Sequence, residues 1–279
     1  MKTRLVMLIV AGAFAMIHVQ GHAQEKFNLS YKLEKGKTYK YIKDNIIETT
    51  QEMGGQEMKM STDGHSVVKY VVDEVTNEGI MFVSYSYDEV KYHMKGMGRD
   101  TVMDMRKMLE KITKAEITKY GKVLKETSAD SVKSSKPLMS LTMFTGSNFV
   151  LLPEQPVAIG ETWPKVSTDT TISEESQMVL KRNITYTLKG KEKKGSYECI
   201  KVDFKGTLEI TGKMQQRGMD LVMEGSGDTS GSFWFDPSSG LMVEELNNTN
   251  IDMTMALTGQ SQMTIPMTQK ITTTQKLSQ

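Results

Sequence analysis

Apolar and polar side chains alternate along most of this chain, and a period of two is the mark of a strand with one dry face. The alternation runs through Phe27-Asn28-Leu29-Ser30-Tyr31-Lys32-Leu33 and resumes at Tyr39 to Ile47. Ser66 to Val75 and Ile80 to Tyr87 flank Asn77-Glu78-Gly79, a turn in which glycine supplies a positive φ, so they read as a hairpin. Ala115 to Lys119 and Lys122 to Glu126 form a second hairpin around Tyr120-Gly121. Later runs are Ile184 to Leu188, Tyr197 to Phe204, Gly206 to Gly212, Met219 to Glu224, Gly231 to Phe235, Leu241 to Leu246 and Ile251 to Leu257. Asp236-Pro237-Ser238-Ser239-Gly240 is a turn, with proline presetting φ and glycine closing it. The Thr/Gln-rich stretch Gln262 to Gln279 alternates weakly and reads as an edge strand with a frayed end.

Helical spacing appears in two places. Val102, Met105, Met108 or Leu109, and Ile112 recur at helical intervals between Thr101 and Thr113. Leu138 to Phe144 forms a short apolar run between Pro137 and Gly146. The fold class expected is mainly β, α+β in the sense of short helices added to antiparallel curved sheets, with two similar β lobes. The division is a signal peptide over 1–23, an N-terminal β lobe with a short helix over 24–127, a linker with a short helix over 128–165, and a C-terminal β lobe over 166–279.

The first 23 residues read as a secretory signal peptide. Lys2 and Arg4 precede an apolar run from Leu5 to Val19, and Gly21-His22-Ala23 provides small residues for cleavage before Gln24. The run falls short of the roughly 20 apolar residues of a spanning helix, and no transmembrane segment is expected after cleavage. The mature protein is expected outside the cytoplasm, in a periplasm or the medium. The lone cysteine, Cys199, cannot form an intramolecular disulfide, so the core must hold the fold. Cys199 sits in an alternating strand pattern and reads as a small buried hydrophobe. Losing Lys2 and Arg4 from 35 basic residues, against 34 acidic, leaves a formal charge near −1. That balance gives no reason to expect nucleic acid as a partner. The missing terminal aromatic and aromatic girdles argue against an outer-membrane barrel.

Catalytic patterns are thin. His65 and His93 stand apart after cleavage, and no HExxH, GxSxG, Walker or CxxC spacing occurs. Gly225, Gly227 and Gly231 lie between strand-like runs, which is the wrong setting for a phosphate loop. The expectation is a non-enzymatic protein with no cofactor and no metal-ligating residues of the usual kinds.

Twenty-three methionines are the unusual feature of composition. Met58 and Met60, Met219 and Met223, and Met253 and Met255 place thioethers at same-face spacing. Three readings stay open: core filler in place of Leu and Ile, a pliable apolar groove, or soft-cation binding of Cu(I) or Ag(I). On the second, these six residues line a concavity that takes a lipid or hydrophobic peptide. An envelope protein partner, paired through edge strands such as the Thr/Gln-rich tail, is the alternative.

Leu151-Leu152-Pro153-Glu154-Gln155-Pro156-Val157-Ala158-Ile159-Gly160-Glu161-Thr162-Trp163 resembles an LP-x-x-PV-x-x-G-x-x-W signature. Gly231 to Leu241 resembles a G-x-x-x-FD-x-x-x-G-L hairpin. Both are similar to motifs of an uncharacterised, domain-of-unknown-function family of exported bacterial proteins, as is the opening from Tyr31 to Tyr39. The resemblance runs loosely from Phe27 to Leu257. It implies a mostly antiparallel β protein and brings no catalytic or binding residues with it. Physically, Trp163 and Trp234 within these motifs read as core anchors.

Overall fold

A computed structural model of the chain describes residues 24–96, 98–105, 112–128, 149–172, 176–216, 219–258 and 262–278. Its strands, in order, are β1 (Lys26–Phe27), β2 (Thr38–Met53), β3 (Gln56–Val75), β4 (Ile80–Gly96), β5 (Arg99–Asp104), β6 (Thr113–Thr118) and β7 (Val123–Ser128). There follow β8 (Val157–Ala158), β9 (Thr162–Ile172), β10 (Ser176–Lys194), β11 (Tyr197–Gln216), β12 (Met219–Asp236), β13 (Leu241–Thr258) and β14 (Met263–Ser278). No helix occurs among the described residues. The short β1 and β8 pair with each other, and the remaining strands make one antiparallel sheet. Its order is β7-β6-β4-β3-β2-β14-β13-β12-β11-β10-β9, with β5 on the far half of β4, so among the described residues β7 and β9 end it and it does not close into a barrel.

Strands of 16 to 20 residues are far longer than the usual strand of about 5–6. Strands of that length stay in one sheet only by twisting and curling. Glycine makes the tightest part of the curl. A Cβ on Gly227 of β12 would lie 2.2 Å from the Asn250 carbonyl oxygen of β13, and one on Gly206 of β11 would lie 2.2 Å from the Asn183 oxygen of β10. The flanking strands therefore arch over the inner face where β11 and β12 carry no side chain.

The inner face has three zones. At one end lies an aromatic core that includes Tyr41, Tyr70, Trp163, Tyr186, Phe233 and Phe235. Trp163 stacks on Tyr186 with ring centroids 5.5 Å apart. The segment before β2 crosses this end and buries Phe27, Leu29, Tyr31 and Leu33. Tyr31 N–H donates to Lys119 O at 2.8 Å and Lys32 N–H to Gly240 O at 3.2 Å, which tie the ends of the β6–β7 and β12–β13 hairpins together. At the opposite end sits a second cluster of Leu, Ile and Met from β2 and from β10 to β14. A band of polar side chains separates the two. The convex face carries exposed charges such as Lys40, Glu48, Lys181, Glu209, Glu224 and Asp252. A barrel in a membrane turns an apolar band outward instead.

Several expectations change. The run Phe27 to Leu33 keeps its alternating burial, yet only Phe27 belongs to a strand, because the rest docks across sheet ends by isolated hydrogen bonds. Within the segment read as a helix over Thr101 to Thr113, residues up to Asp104 continue β5, paired to β4, and Val102 stands 68% exposed. Helical spacing over so few residues also fits a strand. Residues 106–111 of that segment, the short helix at Leu138 to Phe144 and the leader 1–23 lie outside the described residues.

The runs read as separate strands on either side of Gly206, between Glu224 and Gly231, and between Leu246 and Ile251 are interiors of β11, β12 and β13. In β11 and β12 glycine marks close backbone approach, not a turn. The C-terminal tail is a further correction. β14 is hydrogen-bonded on both sides, to β13 and to β2, so it is central and offers no free edge. Its inward Thr and Gln residues fit because neighbours satisfy them: Thr273 Oγ1 donates to Asn45 Oδ1 at 2.8 Å, and Gln269 Nε2 donates to Thr49 Oγ1 at 3.2 Å.

Trp163 and Trp234 are both buried, but on opposite faces. Trp234 belongs to a small outer cluster with Cys199 and Val243, and the Lys194 ammonium sits 3.6 Å from its ring centroid. Burial first, then the charge of Asp236, pushes the Cys199 thiol up to about 11. Only the thiolate attacks alkylating agents. Cys199 is therefore expected to stay unmodified by iodoacetamide in the native protein near pH 8 and to react fully in denaturant. Rapid native labelling, read by intact mass, would show this cluster to be open.

Candidate functional site

A cavity of about 700 Å³ occupies the hollow of the curled sheet. That lies within the roughly 300–1,000 Å³ range of small-ligand sites. Both edges of the sheet reach it: β9 through Lys165 to Asp169, and the β6–β7 hairpin through Thr118 to Val123. Phe149, Val150 and Leu151 border it from the segment that leads to β8. Between the two edges, Lys165 Nζ meets Glu154 Oε1 at 3.2 Å.

One part of the wall is apolar. Met178, Leu180 and Ile184 of β10, and Phe204, Leu208 and Ile210 of β11, face the space from alternate positions. The other part is polar and spans β12, β13, β14 and β2. The register aligns Glu245 with Gln275, and Gln275 with Lys43, so both charges stand on one row across the sheet. The next row carries Asn247, Thr273 and Asn45, and the one after it Thr229 and Thr249. Thr229 Oγ1 donates to Asn247 Oδ1 at 2.8 Å, and Thr249 Oγ1 donates to the same oxygen at 3.3 Å.

The electrostatics follow from depth. Lys43 and Glu245 keep part of their surface accessible, and it faces the cavity, since both line it while protein surrounds them on the other sides. Desolvation holds the Lys43 ammonium below its ordinary value, opposed by Glu245 and reinforced by Arg182. Desolvation likewise raises Glu245, opposed by Lys43. Arg182, on β10, pairs with Asp169 of β9.

The six methionines expected to line a concavity are distributed as follows. Met223, Met253 and Met255 are buried together with Met178, Met214 and Met267 in the second cluster. Met223 stands opposite Met255, and Met253 opposite Met267. Met58 and Met60 lie half-buried on β3, and Met219 opens β12 opposite Gln216. Met178 lines the cavity itself, while Met223, Met253 and Met255 pack at its apolar end. Among the described residues, His65, His93 and Cys199 all lie away from this cluster, so a soft cation there would have thioethers as its soft ligands.

The histidines face the other way. His65 Nδ1 lies 2.7 Å from Asp44 Oδ1 and His93 Nε2 lies 2.5 Å from Asp100 Oδ1, on strand positions opposite in phase to the cavity wall. Among the described residues no group of three His, Cys, Asp or Glu is placed to hold a metal ion. The arrangement suits holding a molecule with an apolar part and a polar part.

Lys43, Glu245 and the Thr/Asn set are the residues that motif and methionine spacing miss. A signal for them exists in the strand pattern. Along Tyr41-Ile42-Lys43-Asp44-Asn45-Ile46-Ile47 the inward positions are Tyr41, Lys43, Asn45 and Ile47, so Lys43 occupies the phase that burial requires to be apolar. Glu245 does the same in β13, ahead of Asn247, Thr249 and Ile251. A charged residue in the buried phase of an alternating strand marks both.

A family model described as "Family of unknown function (DUF6263)" matches residues 102–242. No curated protein matches the chain. Among solved structures, one titled "Lipid-protein interactions in lipovitellin" is similar at a TM-score of 0.43 and 11% identity, over 89% of this chain and 26% of that one. The chain thus spans about a quarter of that structure's length. Pseudomonas aeruginosa OccK2 (OpdF) is similar at a TM-score of 0.31 and 6% identity, over 88% of this chain and 99% of that one. The COG4313 outer membrane channel from Pseudomonas putida F1 gives 0.28 and 10%, over 89% and 98%. With TM-scores below 0.5, none of the three assigns a site or a function here.

Proposed function

The chain belongs to this DUF6263 family of unknown function, and from its own geometry we propose that it is an exported, non-enzymatic binding protein for an amphipathic ligand of lipid type. The observation that carries the reading is the cavity of about 700 Å³, apolar along β10 and β11 and polar across β12, β13, β14 and β2. An apolar chain gains about 25 cal/mol for each Å² it removes from water. Polar groups at one end of the same space fix its orientation. The methionines support a wall that adapts to the shape of the chain, since unbranched thioethers repack easily. Export rests on the leader read in residues 1–23. The alternative of an assembly module loses the free C-terminal edge on which it rests.

The test is uptake of a neutral fluorescent probe, N-phenyl-1-naphthylamine, by delipidated mature protein. Saturable uptake near one probe per chain is expected, displaced by a single-chain lipid. Leu208→Trp, which fills the space from β11, is expected to reduce probe affinity at least tenfold while the chain still unfolds cooperatively. Absence of saturable uptake by the unaltered protein would remove the reading.

A further inference from the structure

We infer that the ligand's polar head carries no net charge and is recognised through hydroxyl, ester or amide groups. This rests on the cavity being the binding site. Among the described residues, the charges that line it inside the rim are balanced in kind. Lys43 faces Glu245 across Gln275, Arg182 pairs with Asp169, and Lys165 pairs with Glu154. Among the described lining residues the remaining cation, Lys122, is exposed at the rim. An anionic head entering this space would give up its hydration and find Lys43 already facing Glu245. A cationic head would meet the converse. Removing an ion from water costs several kcal/mol unless a partner awaits it, so a balanced wall selects against both. The opposed displacements of Lys43 and Glu245 from their ordinary pKa values fit the same picture, because proton transfer between them leaves their sum at zero.

The neutral part of the wall provides the recognition. Asn247 Oδ1 accepts from both Thr229 and Thr249, which leaves its amide nitrogen as the group of this side chain that donates. Thr229 and Thr249 oxygens lie 3.0 Å apart beside it. Thr273 and Gln275 continue this surface on β14. Amide and hydroxyl groups of this kind match the carbonyl and hydroxyl oxygens of an uncharged head.

The experiment compares three ligands with matched decyl tails in displacing the neutral probe at pH 7: monodecanoylglycerol, decanoate and decylammonium. Monodecanoylglycerol is expected to act at a concentration at least tenfold below either ion. Equal or tighter binding of either ion by the unaltered protein overturns the inference. Two variants make the test reciprocal. Glu245→Gln is expected to improve decanoate at least tenfold relative to monodecanoylglycerol, and Lys43→Met to do so for decylammonium. If either variant folds cooperatively and shows no such shift, the charge pair does not face the ligand and the inference fails. Failure of the neutral probe itself to bind would instead count against the cavity as a binding site.

Discussion

Replacing Lys43 by Met is expected to lower unfolding stability by about 1–2 kcal/mol at neutral pH, and replacing Glu245 by Met in the same chain is expected to return that loss or exceed it. Removing one member of a buried charge pair costs roughly 3–5 kcal/mol because the other is left desolvated and unpaired, whereas replacing both by apolar groups is often neutral or stabilising. Less than the low end applies here, because Lys43 and Glu245 are only half-buried and the strand of Gln275 separates the two. The pH dependence has a definite sign. Desolvation raises Glu245 in the folded state, opposed by Lys43, so removing Lys43 raises it further. A carboxyl group raised on folding penalises stability above its folded pKa and ceases to do so as pH falls below its unfolded value. The deficit of Lys43→Met is therefore expected to shrink from pH 7 toward pH 4. Urea midpoints of the parent, both single variants and the double variant at each pH measure it. A deficit that stays constant or grows in acid would place its origin outside Glu245. A double variant that is more stable yet takes up less ligand would show that the pair is retained for binding at a cost in stability.

The turns are the readable part of the fold. Asn77-Glu78-Gly79 and Tyr120-Gly121 each put a glycine where φ is +83° and +82°, and a hairpin stands at each. Such turns are set by local chemistry and need no knowledge of distant residues. The length of the strands is not readable, since Gly206, Gly225, Gly227 and Gly231 look like breaks in a sequence. Their role depends on neighbouring strands that lie tens of residues away. The tail misleads for a similar reason. Thr and Gln in its inward phase suggest an exposed edge until Asn45 and Thr49, more than 200 residues earlier, are placed opposite them.

The candidate site is less readable than the fold. Methionine spacing points to the inner face, and Met223, Met253 and Met255 do lie together there. The polar half of the cavity escapes notice because it is assembled by register across strands. Glu245 and Lys43 come onto one row of the sheet only once β14 is placed between β13 and β2. A polar residue at an inward position signals either a buried network or a misassigned strand, and one strand alone cannot separate these.

Gly227→Ala is expected to cost more than about 4 kcal/mol, a loss seen only for core-disrupting changes, and to leave much of the chain unfolded. The added carbon would stand 2.2 Å from the Asn250 carbonyl oxygen, where real contacts essentially never fall below 3.0 Å. The obstacle is backbone, so no rotamer change relieves it, and β13 must move away from the inner face. Gly160→Ala is the control. Gly160 has φ +86° and nothing within 4 Å of the added carbon, so only the left-handed backbone strain of about 1–2 kcal/mol applies. The two substitutions add the same methyl group, and the difference between their urea midpoints isolates close strand approach from backbone conformation. If Gly227→Ala proves as mild as Gly160→Ala and probe uptake is unchanged, the curl of the sheet is not held at β12. If it folds in mild conditions but takes up no probe, the arch of β13 over Gly227 is what shapes the cavity, and the glycines of this strand belong to the binding function as much as to the fold.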